Sequence, residues 1–211
     1  MNKIFKNYKT ILWQLIFAWF FILMLNITLK YIPFDSNTAF LQIKQTEVNG
    51  IKPYLFIFYI HVYSAIFSLL AGFTQFNSKL LKNYPVIHKT IGKLYFLTVL
   101  FLAAPSGFFI GLSANGGFYS KVSFVTLSLL WFYFTLQGFL KIKSKNIQQH
   151  REFMLRSFAM AFSAITLRLW KVILVYLFQP SPMDLYQIVS WLGWIPNLLL
   201  IELYIFKQKN K

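Results

Sequence analysis

The sequence predicts an all-α, polytopic membrane protein in which six transmembrane helices form one bundle. Composition is the first observation, because 57% of the 211 residues are hydrophobic, 20% are aromatic and only 12% are charged. A soluble domain carries about 25% charged residues and, at this size, cannot bury so much apolar surface. The second observation is that the apolar residues form runs of about 20, the length of a membrane-spanning helix. Together these observations exclude a soluble enzyme, a disordered chain and a nucleic-acid-binding domain.

Six apolar runs define the predicted helices. Backbone polar groups in lipid must be satisfied within the spanning segment, and a helix does this by itself. We predict helices near residues 11–32, 54–76, 91–112, 122–140, 153–178 and 185–206, within a single domain of residues 1–211. The first run follows three lysines, as the apolar part of a signal peptide would, but it is longer and no Ala-x-Ala cleavage site follows it. We therefore expect it to stay in place as the first helix.

The distribution of charge predicts the orientation of the bundle. The chain has 21 Lys and Arg against 5 Asp and Glu, for a net charge of +16, and it has no Cys. Most of the basic residues lie near the two termini and in the loops after the second and fourth helices, as they do on the cytoplasmic side of membrane proteins. We therefore predict cytoplasmic termini and a location in the bacterial cytoplasmic membrane, with the lipid bilayer and not nucleic acid as partner. The lack of Cys excludes disulfides and thiolate metal ligands.

Polar and small residues mark the helix faces that are predicted to point into the bundle. On the second helix they are His61, Ala65, Ser68, Gly72 and Gln75, and on the fifth they are His150, Met154, Ser157, Ala161, Ala164 and Arg168. Steps of three and four keep each set on one face of its helix. Close helix packing explains the small residues. The polar residues leave two interpretations open, structural hydrogen bonds or a ligand site.

Arg156 on the fifth helix requires a partner, because an unpaired charge inside a bilayer costs several kcal/mol. Glu202 on the sixth helix lies at a similar depth, and Glu152 lies at the membrane boundary. We predict that Arg156 pairs with one of these two carboxylates. The pair would be either a clamp that fixes the fifth helix against the sixth or part of a polar cavity.

His61 and Arg168 are predicted to lie at similar depths in the outer half of the bundle. At 1.5 Å per residue, His61 is about 10 Å from the start of the second helix. Arg168 is expected to bond backbone carbonyls, to face water, or to hold an anion such as a lipid headgroup. His61 is expected either to make an interhelical hydrogen bond or to line an outer pocket with Arg168.

His88 and His150 stand near the starts of the third and fifth helices, each after a basic loop. If the two loops belong to a parallel internal repeat, these histidines lie at matching depth on the cytoplasmic side. The two imidazoles would then be able to ligate one b-type haem, provided that the third and fifth helices are neighbours. No other metal site is predicted, because zinc would need further ligands and only Glu152 is near.

The chain contains five characteristic blocks, in order between Tyr54 and Leu203: His61–Phe76 (HVYSAIFSLLAGFTQF), His88–Tyr95 (HKTIGKLY), Ala104–Gly111 (APSGFFIG), His150–Trp170 (HREFMLRSFAMAFSAITLRLW) and Asn197–Leu203 (NLLLIEL). They resemble the bacterial predicted membrane proteins grouped as domain of unknown function 2306. The block that begins at His150 is the most specific. The chain departs from the family pattern at Lys89 and Lys93, where Arg is expected, which keeps the charge but loses the bidentate fork.

The resemblance implies a multi-pass membrane protein and brings no reaction, substrate or cofactor with it. The residues that match the family pattern are His61, Gln75, His88, Gly92, Pro105, Gly107, His150, Arg151, Arg156, Arg168 and Glu202. These positions are the ones that we would test for function.

Two functions remain open from the sequence. The first is a bundle that binds, and in one form transports, a small ligand or lipid through an internal polar cluster, with no cofactor. The candidate residues are His61 and Arg168 in an outer pocket, His88, His150, Arg156 and Glu202 in an inner cluster, and Gln75 and Arg151 beside them. The alternative is a membrane redox protein that binds b-type haem through His88 and His150. No catalytic residue is assigned, and enzymatic activity is left open.

Overall fold

A computed structural model describes residues 2–76 and 78–210 of the chain. These residues form helices joined by loops, with no β-strand among them, so the predicted all-α class is confirmed. The chain divides into two compact units, Met1–Gln45 and Thr46–Lys211. The assignment of residues 1–211 to a single domain stays a prediction.

The first unit has two helical segments: α1, Asn2–Leu29, and a 3₁₀-helix, Ala39–Lys44. Helix α1 starts well before residue 11, because hydropathy marks only the apolar part of a helix and lysine is a good helix former. The loop after α1 folds back on itself. The backbone N–H of Phe40 donates to the Tyr31 hydroxyl at 3.3 Å, and Gln45 Nε2 donates to the Ser36 carbonyl at 2.7 Å.

The rest of the described chain forms further α-helices and one π-helical turn. In order they are α2 Gln45–Gly50, α3 Tyr54–Gln75, α4 Ser78–Asn83, α5 Pro85–Thr98, the π-helical turn Val99–Ala103, α6 Ala104–Leu112, α7 Gly117–Lys143, α8 Ile147–Phe178, α9 Pro182–Leu192 and α10 Ile195–Lys209. Each predicted range is largely helical, but the sixth is divided between α9 and α10 and the third contains the π-helical turn. Most of them continue beyond their predicted ends, because polar residues extend a helix past the apolar run that hydropathy detects.

Five helical segments of the described chain are long and apolar enough to cross a membrane. They are Tyr54–Gly72, Pro85–Leu112, Gly117–Lys143, Ile147–Phe178 and Pro182–Lys209. Helices α5 and α6 belong to one of these segments, and α9 and α10 belong to another. The first predicted span is not among the five, because its described apolar part, Leu15–Leu29, is shorter. The chain therefore has several membrane-length helices, and the count of six spans stays a prediction.

Large apolar side chains cover the outside of these segments. Phe101, Phe118 and Tyr176 are exposed over 68%, 75% and 84% of their surfaces. Large exposed apolar patches are rare on soluble monomers and mark surfaces that meet a partner or a membrane. In a bilayer these side chains face acyl chains, so the exposed surface agrees with the class of protein that the composition predicts.

Helix α8 occupies the centre of the second unit, where it packs against α3, α7, α9 and α10. At the crossing with α3 there is no room for a side chain at Gly72, because a Cβ there would lie 2.3 Å from Phe158 Cδ2. Helix α6 approaches α7 as closely, and a Cβ at Gly111 would lie 3.2 Å from the backbone nitrogen of Val125. Small residues therefore let the helix backbones approach each other, as the sequence predicts.

Two of the five segments are interrupted inside the unit. In the first, a π-helical turn precedes Pro105, which lacks the backbone N–H that would continue an α-helical ladder. In the other, α9 and α10 are separated at Gly193 and Trp194. The Thr166 hydroxyl donates to the Gly193 carbonyl, and Asn197 Nδ2 donates to Thr166 Oγ1 at 2.9 Å. Side chains from α8 and α10 thus satisfy the carbonyl at this break.

Candidate functional site

Polar side chains recur every seven residues on three helices of the second unit. These are His61, Ser68 and Gln75 on α3, His88 and Tyr95 on α5, and His150 and Ser157 on α8. Seven residues are nearly two helical turns, or about 10 Å along the axis, so the members of each series share a face. The polar residues therefore lie in layers along the helices.

The first layer, which we call the inner site, consists of Gln75, His88 and His150. It lies where α3 ends and where α5 and α8 begin. The same end of the unit carries Lys82, Lys89, Lys93, Lys141, Lys143, Lys145, Arg151, Lys207 and Lys209, and we call it the basic end. Among the described residues, no three His, Asp or Glu side chains are grouped as a metal site would require.

His150 is held by a hydrogen bond between α8 and α7. Its Nδ1 lies 2.7 Å from the Gly138 carbonyl oxygen. A carbonyl can only accept, so Nδ1 carries a proton. The ring of His88 lies within electrostatic range of His150. The matching depth of these two histidines stays a prediction.

Gln75 and His88 have buried polar atoms without partners. Among the described residues, Gln75 Nε2 and His88 Nδ1 are shielded from solvent and make no hydrogen bond. The Gln75 amide lies over Gly92, because a Cβ there would be 3.0 Å from Gln75 Oε1. Gly92 is one helical turn from His88 on α5. A buried polar atom without a partner costs about 1–3 kcal/mol, so a bound water or ligand would be stabilised here.

The next layer is a closed ring of hydrogen bonds, the hydroxyl network, formed by Tyr95, Trp131, Thr135 and Ser157. The Tyr95 hydroxyl lies 2.7 Å from Ser157 Oγ, which lies 2.7 Å from Thr135 Oγ1. Thr135 donates to the Trp131 carbonyl at 2.7 Å, and Trp131 Nε1 donates to the Tyr95 hydroxyl at 3.3 Å. Because Thr135 has one proton, Ser157 must donate to Thr135, and Tyr95 must donate to Ser157. The network begins and ends on Trp131 with every hydroxyl proton in use.

The outer layer joins α3 to the interrupted helix. His61 Nδ1 lies 3.1 Å from the Ala103 carbonyl oxygen and 3.3 Å from Ser106 Oγ. Gly107 makes room for the ring, because a Cβ there would lie 2.9 Å from His61 Cε1. Ser106 donates to the Leu102 carbonyl at 2.5 Å. His61 therefore makes the interhelical hydrogen bond that was one of its two predicted roles.

Arg168 lies within electrostatic range of His61. Its Nη1 donates to the Ala164 carbonyl, one turn earlier on α8, at 2.5 Å. Bonding to a backbone carbonyl, one of the three roles expected for Arg168, is therefore confirmed. A ligand pocket between Arg168 and His61 stays a prediction.

Arg156 pairs with Glu202, which confirms one of its two predicted partners. Arg156 Nε lies 2.5 Å from Glu202 Oε1, and Nη2 lies 2.8 Å from Oε2, so the pair is bidentate. The guanidinium also lies 5.3 Å from the centre of the Phe153 ring. Glu152, the alternative partner, pairs with Lys209 at 3.0 Å. The Arg156 pair joins α8 to α10.

Two separate pairings are observed among the residues of the predicted inner cluster. Arg156 pairs with Glu202 between α8 and α10, whereas His88 lies within electrostatic range of His150. The physical reason is helical periodicity, because Arg156 is six residues from His150 and therefore about 120° around the helix. Arg151 also turns toward α10, where its Nη2 donates to the Tyr204 hydroxyl at 3.4 Å.

The patterns read from the sequence do not single out Tyr95, Thr135 or Trp131. A usable signal is the repeated spacing, since Tyr95 follows His88 by the same seven residues that separate Ser157 from His150. Thr135 and Trp131 are one turn apart on α7. That helix has polar residues on several sides, so its sequence does not tell which face turns inward.

The opposite end of the unit also has two unpartnered hydroxyls. Tyr54 and Ser120 are fully buried, and their oxygens have no hydrogen bond among the described residues. A single water satisfies a hydroxyl of this kind. The inner site differs because it includes an amide and two imidazoles, which offer more hydrogen-bonding functions than a pair of hydroxyls.

Apolar helices of membrane length, arranged around layers of polar side chains, define a multi-pass helical membrane protein. The family model described as "Predicted membrane protein (DUF2306)" matches residues 58–205, and the chain belongs to this family. The matched range includes every candidate site residue. No curated protein matches the chain, and no solved structure matches it.

Proposed function

We propose that the protein binds a small polar ligand in the membrane, and that the ligand occupies the inner site of Gln75, His88 and His150. The pair of buried atoms without partners, Gln75 Nε2 and His88 Nδ1, is the observation that supports this most directly. His150 adds a ring whose orientation is fixed by the Gly138 carbonyl. A ligand that bonds the unpartnered atoms removes the cost of leaving them buried and unsatisfied.

The hydrogen-bonding groups of the inner site define the kind of ligand that fits it. Gln75 Nε2 can only donate, so the ligand presents an acceptor to it. His150 donates through Nδ1 to the Gly138 carbonyl, and Nε2 is an acceptor in the neutral form of the ring, the form to which a ligand presents a donor. A small molecule with a hydroxyl close to a carbonyl or ether oxygen meets both requirements.

The hydroxyl network supports binding from the basic end and not passage through the bundle. Its four residues are exposed over no more than 6% of their surfaces. Each hydroxyl proton is used inside the ring, so the network offers no free donor to a ligand in the inner site. The ligand-binding hypothesis also includes transport of the ligand across the membrane, which would require the hydrogen bonds of this network to break. We therefore propose binding ahead of transport.

Native mass spectrometry of the protein, purified from its own membranes in a mild detergent, tests the proposal. We expect a bound small molecule on the wild type and at least about tenfold less of it on His150→Ala and Gln75→Met, because each loses a hydrogen bond to the ligand. Ser144→Ala is the control, since Ser144 is exposed at the end of α7. The proposal is contradicted if the wild type and His150→Ala carry equal amounts of the bound molecule. It is also contradicted if the wild type carries no bound molecule.

A second candidate is the binding of b-type haem by His88 and His150. The two rings lie within electrostatic range of each other, and Nδ1 of His150 donates to a carbonyl, as the second nitrogen of a metal-ligating histidine does. Haem would supply one-electron redox chemistry. An absorption spectrum separates the two candidates. Haem binding predicts a Soret band that is lost in His88→Ala and His150→Ala but kept in Gln75→Met, whereas the first candidate predicts no band.

We also propose six spans, with both termini in the cytoplasm of a bacterial inner membrane. The apolar residues of α1 and the lysines of the basic end support this orientation. Reporter fusions after Asn37 and after Lys145 should report opposite sides, with Lys145 in the cytoplasm. A tag before residue 2 should also report the cytoplasm. If that tag lies outside, α1 does not cross the membrane and the count is five.

A further inference from the structure

A groove of about 310 Å³ lies between the beginning of α8 and the end of α10. Its lining includes Arg151, Glu152, Leu155, Tyr204, Ile205 and Lys209. Ile205 is buried and Leu155 is half-buried, so they form an apolar floor. Arg151, Tyr204 and Lys209 are exposed at the rim. An apolar floor with cationic and aromatic edges is typical of the level at which a membrane protein meets lipid headgroups.

The groove carries more positive than negative charge. Its lining has two cations, Arg151 and Lys209, against one carboxylate, Glu152. Lys209 Nζ lies 3.0 Å from Glu152 Oε2, and Gln148 Nε2 donates to Glu152 Oε1 at 3.3 Å. Arg151 donates to a neutral hydroxyl, that of Tyr204. The carboxylate is therefore partnered by two groups, whereas the guanidinium keeps its charge at the surface.

We infer that this groove binds the headgroup of an anionic phospholipid, with the phosphate between Arg151 and Lys209 and the acyl chains beginning at Leu155 and Ile205. Guanidinium and ammonium groups are the side chains that bind phosphate, and basic pockets between transmembrane helices bind anionic headgroups. The volume equals that of about ten water molecules at about 30 Å³ each, which leaves room for a phosphate and its glycerol.

The position of the groove along the helices favours a lipid as the source of the phosphate. Arg151 lies in the second turn of α8 and Lys209 is the last residue of α10, so the cations stand at the end of two membrane-length segments. The floor residues lie about one turn further into those segments. A phosphate with attached acyl chains would contact both levels, whereas free phosphate would contact only the first. The lining of the groove includes none of the inner-site residues, so this inference does not rest on the proposed function.

Lipid titration followed by native mass spectrometry tests the inference. The full chain, purified in a nonionic detergent, is titrated with phosphatidylglycerol, with phosphatidylcholine and with inorganic phosphate in separate samples. We expect the wild type to prefer phosphatidylglycerol over the other two. The double variant Arg151→Gln/Lys209→Gln should lower the apparent affinity for phosphatidylglycerol at least about tenfold, since each change removes a charge-assisted hydrogen bond.

The matched control is Lys82→Gln/Lys207→Gln, which removes the same charge from the basic end but does not touch the groove. It should change the affinity less than about threefold, because exposed charges are screened by salt. Equal losses in the two double variants overturn the inference, since the charge of the whole end would then explain binding. Equal binding of phosphatidylglycerol and phosphatidylcholine overturns it too, and so does inorganic phosphate binding as tightly as the lipid.

Glu152→Gln sharpens the test because it removes the negative charge of the groove. An anionic headgroup should bind this variant at least as tightly as the wild type. Loss of phosphatidylglycerol binding in Glu152→Gln overturns the inference, because the carboxylate would then be holding an ammonium-bearing headgroup. If the double variant does not elute as a folded protein in gel filtration, the single variants Arg151→Gln and Lys209→Gln replace it, each with an expected loss of at least about threefold.

Discussion

The inner site and the hydroxyl network lie about two helical turns apart along α5 and α8, but their polar atoms are satisfied differently. In the network, the hydroxyls of Tyr95, Ser157 and Thr135 each donate once and each accept once. In the inner site, Gln75 Nε2 and His88 Nδ1 are buried without a partner. The first arrangement needs nothing further from its surroundings, whereas the second is completed only by something that binds.

This difference distinguishes polar side chains whose hydrogen bonds hold the helices together from polar side chains whose unpartnered atoms are available to a ligand. A satisfied buried network stabilises one arrangement of its helices. A buried polar atom without a hydrogen-bond partner lowers the stability of the fold. Such an atom is explained where a bound molecule supplies the missing hydrogen bond. The Arg156–Glu202 pair belongs with the network on this criterion, because both side chains are partnered. Stability measurements on variants should therefore divide the polar residues in the same way.

The largest expected loss of stability is that of Arg156→Leu. The variant leaves Glu202 without its cation, and removing one partner of a buried pair costs about 3–5 kcal/mol. We expect a loss of about 2–3 kcal/mol, because 44% of the Glu202 side chain is exposed. Unfolding of the purified protein by sodium dodecyl sulfate measures this free energy.

The double variant Arg156→Leu/Glu202→Leu is the control for that measurement. Replacing both members of a pair by apolar residues leaves no charge unpartnered, so most of the lost stability should return. If Arg156→Leu alone is as stable as the wild type, the Arg156–Glu202 pair does not stabilise the bundle and does not belong with the hydroxyl network.

Ser157→Ala should have an intermediate effect. It deprives Tyr95 of its acceptor and Thr135 of its donor, and we expect a loss of about 1–2 kcal/mol in the same unfolding measurement. Ser144→Ala, on an exposed serine, should change the free energy by less than about 0.5 kcal/mol. If the two serine variants are equally stable, the network does not hold α5, α7 and α8 together.

Gln75→Met should have the smallest effect on stability. Met has the length of Gln and removes an amide nitrogen that has no partner, so the free energy of unfolding should stay within about 0.5 kcal/mol of the wild type or rise. The same variant should lose the ligand in the mass-spectrometric test. A loss of stability as large as that of Ser157→Ala would show that Gln75 belongs to the structural group and would end the distinction between the two layers.

Part of this organisation was predictable from the sequence. The pairing of Arg156 with Glu202 followed from depth and charge, because the cost of an unpaired charge in lipid leaves few partners. The expectation that His88 and His150 share one depth follows from their places near the starts of the third and fifth helices and stays a prediction. The grouping of both histidines with Arg156 stays a prediction, because depth alone does not say on which side of α8 a residue lies, and the observed contact of Arg156 is with Glu202 on α10.

The limits of the helices were predicted less well than their presence. The sequence places the start of the third helix at residue 91, whereas α5 begins at Pro85 and includes His88 and Lys89. Polar residues interrupt the hydropathy signal but not the helix. The break between α9 and α10 was also missed, since Gly193 and Pro196 stand inside an otherwise apolar run and Thr166 of α8 completes the carbonyl there.

Membrane class, helix content and the basic character of one end follow from residue types and run lengths, because partition into lipid depends on each side chain more than on its neighbours. The pairing of polar atoms depends on how far each helix is rotated and how closely it approaches the next. Those quantities are set by contacts between distant residues, such as Gly72 with Phe158 and Gly107 with His61. Only the assembled bundle therefore decides that the Ser157 hydroxyl is hydrogen-bonded on both sides and that Gln75 Nε2 is buried without a partner.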